Sequence, residues 1–360
     1  MNRVLVTGGA GFIGCNFVRY LLDKDPDMHI VTLDALTYAG NLGNLANLSD
    51  PSRHTFVQGD ICDEALVIEI LSEHRIDTIV NFAAETHVDR SILGPRQFMR
   101  TNVQGVLSLL EAARTLWMED PDWAPEQCRF HHISTDEVYG SLGPDDPPFS
   151  ENTPYAPRSP YAASKAAADH LVRAYVHTYN LPATLSNCSN NYGPHQYPEK
   201  LISLVIMNAL EGRPLPVYGN GQQIRDWLHV EDHVEAVALV LEKGAVGETY
   251  NIGGGVQSTN IEVVEEICDL IDELAPAAIS SHRDLIQFVD DRPGHDQRYA
   301  MDTDKIEREL LWKPAKSFEQ GLRETIIWYL EHPEWVESIR ARPEYQEWLR
   351  QNYSLRGDTH

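Results

Sequence analysis

Cysteine is scarce in this chain. Five thiols stand among 360 residues, at Cys15, Cys62, Cys128, Cys188 and Cys268, with no Cys-x-x-Cys pair. That spacing excludes a disulfide framework and a thiolate zinc cradle, and no metal is expected. It fits reduced thiols in a cytoplasm, most of them acting as small apolar fillers. Basic residues are also in short supply, with 29 Lys and Arg against 54 Asp and Glu and a formal charge of −25. A field of that sign opposes nucleic acid and anionic membranes, both of which call for a basic footprint. No apolar run approaches the ~20 residues of a membrane span. The chain opens directly on a strand pattern at 3–6, which leaves no room for a signal peptide. Internal repeats and low-complexity tracts are absent as well.

What remains is ordinary globular material, 42% hydrophobic and 23% charged, in a length that suits two lobes sharing a cleft. The first half alternates β-branched runs (4–7, 29–34, 55–59, 77–84, 130–135) with amphipathic stretches (11–24, 65–73, 103–117, 161–179). Several strand patterns are continuously apolar, as in a parallel sheet covered on both faces. The expectation is α/β: a Rossmann-type doubly wound parallel sheet with a smaller, interleaved α/β substrate lobe. We place the dinucleotide-binding domain at 1–186, also receiving 227–253, the substrate lobe at 187–330 and a tail at 331–360. The segment 117–126 reads as a surface loop. Beyond 187 the chain is richer in loops, with helices at 231–241, 261–274 and finally 318–329, after which the tail is given no function.

Thr7-Gly8-Gly9-Ala10-Gly11-Phe12-Ile13-Gly14 joins the first strand to the first helix. Glycines let a pyrophosphate approach the backbone, and the helix start supplies free N–H groups. Asp34, 20 residues after Gly14 at the end of the next strand, is placed to accept ribose hydroxyls and to repel a 2′-phosphate, which favours NAD over NADP. Asp60-Ile61 is either an adenine contact or a plain strand end. The run Glu85–Ser91, after small alanines that allow close cofactor approach, is either cleft lining or a solvated loop.

Two adjacent carboxylates, Asp136 and Glu137, follow an apolar strand and Thr135. Burying such a pair is costly without a task. Tyr161 and Lys165 lie one helical turn apart on the next helix, a phenol with a cation able to stabilise its phenolate. The same Tyr-x-x-x-Lys spacing at Tyr20 and Lys24 lies far from any strand tip and is assigned a structural role. Hydride transfer needs the Tyr/Lys pair, and added carboxylates suggest elimination of water. Lys200, Arg225 and Arg292 are surface charges or phosphate ligands, the latter favoured by their loop-rich setting.

Together these residues resemble the extended short-chain dehydrogenase/reductases that modify nucleotide sugars. The narrower resemblance is to the dTDP-glucose 4,6-dehydratase family, carried by Ala-Ala-Glu85-Thr86-His87-Val88-Asp89-Arg90-Ser91, Ser134-Thr135-Asp136-Glu137-Val138-Tyr139-Gly140, Asn187-Cys-Ser-Asn190-Asn191-Tyr-Gly-Pro194, Ile224-Arg225-Asp226-Trp227 and Asp291-Arg-Pro-Gly-His295. It runs from Asn2 to about Tyr329.

The resemblance implies a redox-neutral lyase with tightly held NAD, in which hydride leaves carbon 4 of the sugar and returns to carbon 6. Tyr161 would take the 4-hydroxyl proton, Glu137 the proton on carbon 5, and Asp136 would protonate the leaving 6-hydroxyl, with Thr135 and Thr86 bonding the sugar. It implies that Gly8, Gly11, Phe12, Ile13, Gly14, Asp34, Ala35, Leu36, Thr37, Asp60, Ile61, Phe82, Ala83, Ala84, Thr86, Thr101, Tyr161, Lys165 and Asn191 line NAD. Asn190, Glu199, Lys200, Leu201, Arg225, Asn260 and Asp291, Arg292, Pro293, Gly294 and His295 would hold the nucleotide. It also implies a homodimer formed through helices 103–117 and 162–179. The rivals are a UDP-sugar 4-epimerase, which has no use for Asp136 and Glu137, and a non-catalytic nucleotide-sugar or NAD binder, which has no use for the whole set.

Overall fold

The computed structural model describes residues 2–276 and 280–350. Among the described residues, twelve strands follow in chain order: β1 (Arg3–Thr7), β2 (His29–Asp34), β3 (His54–Gln58), β4 (Thr78–Asn81), β5 (Arg129–Thr135), β6 (Ala183–Cys188), β7 (Asn190–Tyr192), β8 (Leu215–Tyr218), β9 (Ile224–His229), β10 (Thr249–Ile252), β11 (Gln257–Thr259) and β12 (Ile286–Val289). Seven form one parallel sheet in the order β10-β6-β5-β4-β1-β2-β3. The chain first winds outward from β1 to β3, then returns to β4 on the other side. The switch point between β1 and β4 opens a crevice at the carboxyl ends of the strands.

Alternation along the strands builds two cores. Val4 and Val6 face one side, packed with Phe17, Val18 and Leu21 of the helix Phe12–Lys24 and with Val234, Val237 and Leu241 of the helix Val230–Lys243. Leu5 faces the other, with Val67, Ile70 and Leu71 of Glu64–Glu73 and with Ala168 and Val172 of Pro160–Tyr179. Both faces are therefore dry, which explains why the strands read as unbroken apolar runs. The last of these helices starts as its sequence dictates, with Ser159 accepting from the Ala162 amide at 3.0 Å and Pro160 in the first turn.

Over the carboxyl edge lie two small sheets, β11-β9-β7 and β12-β8. They rest on a third core, in which Val205 and Ile206 meet Val263, Ile267 and Ile271 and Leu322 and Ile326.

The structure corrects several sequence boundaries. The strand expected over 77–84 stops at Asn81, and the chain beyond it turns across the glycine-rich loop. The helical course beside 103–117 runs from Pro95 to Glu119, with wider turns at Met99–Gly105 and Arg114–Glu119. The loop expected over 117–126 therefore begins at Asp120. The helix expected last is followed by two more, Pro333–Arg340 and Pro343–Leu349, each with proline in its first turn. Among the described residues, no helix is long and apolar enough to cross a membrane, and no His, Cys, Asp or Glu cluster could hold a metal ion.

Candidate active site

The crevice is a single cleft of about 480 Å³ running from the glycine-rich turn into the second lobe. At one end Gly8 has φ +69°, and a Cβ there would stand 2.7 Å from the Ala83 nitrogen. A Cβ on Gly14 would stand 2.3 Å from the Gly8 carbonyl oxygen. Both positions exclude a side chain, and the turn lies flat on the start of the helix Phe12–Lys24. That helix is capped by Gly11 without a side-chain acceptor, so its first amides open onto the cleft. Asp34 closes this end. Its Oδ2 accepts from the Ala10 amide at 2.9 Å and its Oδ1 from the Leu36 amide at 2.8 Å, leaving further lone pairs toward the cleft. Burial raises its carboxyl, and those two amides act against the rise.

Beyond β4, Asn102 fixes the wall. Its Oδ1 accepts from the Glu85 amide at 2.8 Å, and its Nδ2 donates to the Glu85 carbonyl at 3.0 Å and to Ser164 Oγ at 2.8 Å. This ties the loop after β4 to the helix that carries Tyr161 and Lys165. Both of those side chains are buried at the cleft floor. Lys165 Nζ donates to the Ile133 carbonyl at 2.6 Å, and burial pulls the ammonium down to about 8.

Thr135, Asp136 and Glu137 stand at the tip of β5, where the chain enters a short helical turn. Thr135 Oγ1 donates to Asp136 Oδ1 at 3.2 Å and accepts from the Glu137 amide at 3.3 Å. Asp136 is 2% exposed, and its Oδ2 has no donor. Burial, then the charges of Glu137 and Asp226, hold its carboxyl well above the usual range. Glu137 is also raised by burial, but Arg292, Lys200 and Arg225 oppose the rise. The two carboxyls thus differ in surroundings, one facing anions and the other facing cations. Such a pair suits one acid and one base.

The cations come from the second lobe. Arg225 is buried over the Tyr299 ring, 4.5 Å from its centroid, and donates to the carbonyls of Ile224 and Asp296 at 2.8 and 3.0 Å. Lys200 donates to the Thr86 carbonyl at 3.0 Å and precedes the helix Leu201–Leu210, which has no side-chain cap. Asn260 also borders the cleft, but its helix is closed by the Thr259–Glu262 capping box. Both oxygens of Glu199 are engaged, accepting from Tyr38 Oη at 2.9 Å and Arg90 Nε at 3.3 Å.

Most residues singled out from the sequence meet along this one cleft, including Ala35, Thr37, Asp60, Ile61, Phe82, Ala84, Thr101, Asn190, Asn191 and Leu201. Leu36, Asp291, Pro293 and Gly294 do not line it, and of the run Glu85–Ser91 only Glu85 to Asp89 do. Leu36 turns away at φ +51° and contributes its amide to Asp34. Asp291 accepts from His295 Nδ1 at 2.6 Å, while Pro293 and Gly294 are exposed and shape the turn that presents Arg292 and His295 to the cleft. Tyr20 and Lys24 lie elsewhere, where Lys24 pairs with Glu242 at 2.7 Å. Sequence reasoning passed over Tyr218, Tyr299 and Tyr197, which also line the cleft. Isolated aromatic residues carry no spacing signal, and only the fold brings them in.

The family described as GDP-mannose 4,6 dehydratase matches residues 5–325. A dTDP-glucose 4,6-dehydratase of Shigella flexneri is 54% identical over 98% of this chain and 99% of its own. The structure of a dTDP-glucose 4,6-dehydratase from Bacillus anthracis in complex with NAD is 46% identical, with a TM-score of 0.83, 94% of this chain and 100% of that chain covered. The Streptomyces venezuelae dTDP-glucose 4,6-dehydratase, solved with NAD bound, is 47% identical, with a TM-score of 0.84 and coverage of 94% and 99%.

Proposed function

The chain belongs to the dTDP-glucose 4,6-dehydratase family, and from that premise we propose how its own residues dehydrate dTDP-glucose to the 4-keto-6-deoxy sugar nucleotide. The glycine cradle, the uncapped helix start and Asp34 fit NAD, whose pyrophosphate would lie on the amides of Gly11–Ile13 and whose adenosine ribose would reach Asp34. When bound, NAD supplies a hydride acceptor and donor, which makes the dehydration redox-neutral.

Tyr161, with Lys165 beneath it, takes the proton from the sugar 4-hydroxyl. Burial, then the Glu137 charge, holds the Tyr161 phenol well above its usual range, and Thr135 acts against that rise. Once carbon 4 is a ketone, the hydrogen on carbon 5 is acidic, and Glu137 removes it. Asp136, protonated because it is buried among anions, gives its proton to the departing 6-hydroxyl. Arg225, Lys200 and Arg292 hold the diphosphate against the acidic charge of the whole molecule, and Thr86 and Asn190 complete the sugar and nucleotide contacts.

The observation that carries this reading is the carboxyl pair Asp136/Glu137 in one cleft with Tyr161 and Lys165. A 4-epimerase needs only the latter two. The five cysteines are free, which suits a reducing cytoplasm. Met99, Leu107 and Tyr179 are exposed apolar or aromatic side chains on the helical stretches Met99–Gly105, Val106–Ala113 and Pro160–Tyr179, and their exposure supports a homodimer formed through these helices. The test is incubation with dTDP-glucose and, separately, UDP-glucose. Loss of one water from dTDP-glucose, with a new methyl doublet in the proton spectrum, is the expected product. An epimerised sugar of unchanged mass would overturn the reading.

A further inference from the structure

Behind the cleft wall lies a group of buried ionisable side chains that no step of the dehydration touches. His131 and His132 are consecutive on β5 and so face opposite sides of the sheet. His131 is held by neutral hydroxyls, with Nδ1 2.9 Å from Thr184 Oγ1 and Nε2 3.0 Å from Ser186 Oγ. His132 is held differently. Thr7 Oγ1 donates to Asn81 Oδ1 at 2.6 Å, which turns Asn81 Nδ2 toward His132 Nδ1 at 3.0 Å. Burial, then the Lys165 charge, keeps the ring neutral, so its one proton sits on Nε2. That atom is 3.4 Å from Lys165 Nζ and 3.5 Å from Asp169 Oδ1.

Asp169 lies one turn beyond Lys165 on the same helix and is fully buried. Its Oδ2 accepts from Ser134 Oγ at 2.7 Å and Tyr155 Oη at 2.9 Å, whereas Oδ1 has no hydrogen-bond donor. An amide oxygen would satisfy Ser134 and Tyr155 equally well. Burial raises the Asp169 carboxyl, and the Lys165 charge is the foremost group opposing that rise, as expected where a buried anion is costly unless it faces a cation.

We propose that Asp169 is a positioning residue whose carboxylate holds Lys165 in its ammonium form, with the His132 Nε2–H wedged between them as a neutral spacer. The inference rests on the reading of Tyr161 and Lys165 given above. Lys165 faces His132 and the Ile133 carbonyl on β5 and Cys188 on β6, and shares the cleft with Tyr161 one turn back on its own helix. Burial pushes the Cys188 thiol up to about 12, so it stays neutral. Asp169 faces His132 and Ser134 on β5, Tyr155 and Tyr139 from outside the helix, and Arg173 one turn on. Arg173 Nη2 donates to Tyr155 Oη at 2.8 Å. Burial pulls Lys165 down to about 8 even with the Asp169 charge opposing the fall. Without that carboxylate the lysine loses its proton earlier, the Tyr161 phenolate loses its neighbouring cation, and the phenol ionises at higher pH.

The test compares Asp169→Asn, Asp169→Glu and Lys165→Met holoenzymes across pH with dTDP-glucose, with bound NAD quantified in each. For Asp169→Asn the acid limb of the kcat profile should move up by about one unit, so that on that limb the rate falls about tenfold, while the NAD content stays in place. Ultraviolet difference titration, parent minus Tyr161→Phe, should show the same upward shift of one tyrosinate without turnover. Asp169→Glu keeps the charge and should keep the parent profile. If Asp169→Asn does not fold, Asp169→Glu decides, since a shifted profile there would overturn the proposal. An Asp169→Asn profile merely scaled down at every pH, with the tyrosinate unmoved, would make Asp169 structural. Full activity in Lys165→Met would instead sink the Tyr161/Lys165 reading itself.

Discussion

At the scale of single residues, the site works by giving similar groups different surroundings. Asp136 and Glu137 are neighbours in the chain, yet one is pressed among Glu137 and Asp226 and the other faces three cations. The pH dependence follows from the signs. Asp136 is needed protonated, and its raised carboxyl keeps the proton until the pH climbs through that raised value, so its loss gives the alkaline limb. Glu137 and Tyr161 are needed as bases, so their protonation gives the acid limb. Asp136→Asn should erase the alkaline limb and slow turnover by on the order of 10²–10⁴, measurable as a kcat–pH profile. An alkaline limb that persists unchanged would assign it to another group.

Arg225→Ala should weaken dTDP-glucose and dTDP binding by about 1.5–3 kcal/mol, the worth of hydrogen bonds to a charged group, with bound NAD unaffected. Calorimetry on the holoenzyme decides this, and unchanged affinity would leave Arg225 as a brace for the 296 carbonyl. Nucleotide released by denaturation should be NAD. NADP as the main species would contradict the role given to Asp34.

At the scale of elements, what could be read from sequence was what lies within one turn or one strand. The glycine-rich turn, Asp34, the Thr135–Glu137 tip and the Tyr161/Lys165 pair each announce themselves by local spacing. Residues of the second lobe do so more weakly: Lys200, Arg225 and Arg292 stand out only as basic residues in loops, and the rest of that set rests on family motifs. Tyr299 meets Arg225 across more than seventy residues of chain, and His132 reads in sequence as one more core residue of a strand. The C-terminal helices were passed over although both begin His-Pro or Arg-Pro, a helix-start signal in an otherwise irregular polar tail.

Those helices bear on the cofactor end. Trp335 Nε1 donates to Asn44 Oδ1 at 2.7 Å, and Asn44 Nδ2 donates to the Ala10 carbonyl at 2.9 Å. Arg342 Nη1 donates to the carbonyls of Tyr38 and Gly40 at 3.3 and 3.0 Å. The loop that follows Asp34 is thus braced from the far end of the chain. Trp335→Ala combined with Arg342→Ala should speed NAD loss during gel filtration, and retention equal to the parent would show that the brace is dispensable.

At the scale of the whole molecule, a strongly acidic chain handles an anionic substrate because its few useful cations are gathered at one place. The parallel sheet opens a crevice at its switch point, and the second lobe closes it with Arg225, Arg292 and Lys200 facing Glu137. The central claim is that the cleft moves one hydrogen from carbon 4 to carbon 6 of the same sugar and exchanges the hydrogen on carbon 5 with solvent through Glu137. The most direct measurement uses dTDP-glucose deuterated at carbon 4, with unlabelled substrate run in parallel in deuterium oxide. The label is predicted in the product methyl group in the first case, with solvent deuterium at carbon 5 in the second, and Glu137→Gln should slow both by on the order of 10²–10⁴. Label retained at carbon 4 of an epimerised sugar, with no solvent deuterium at carbon 5, would contradict the account.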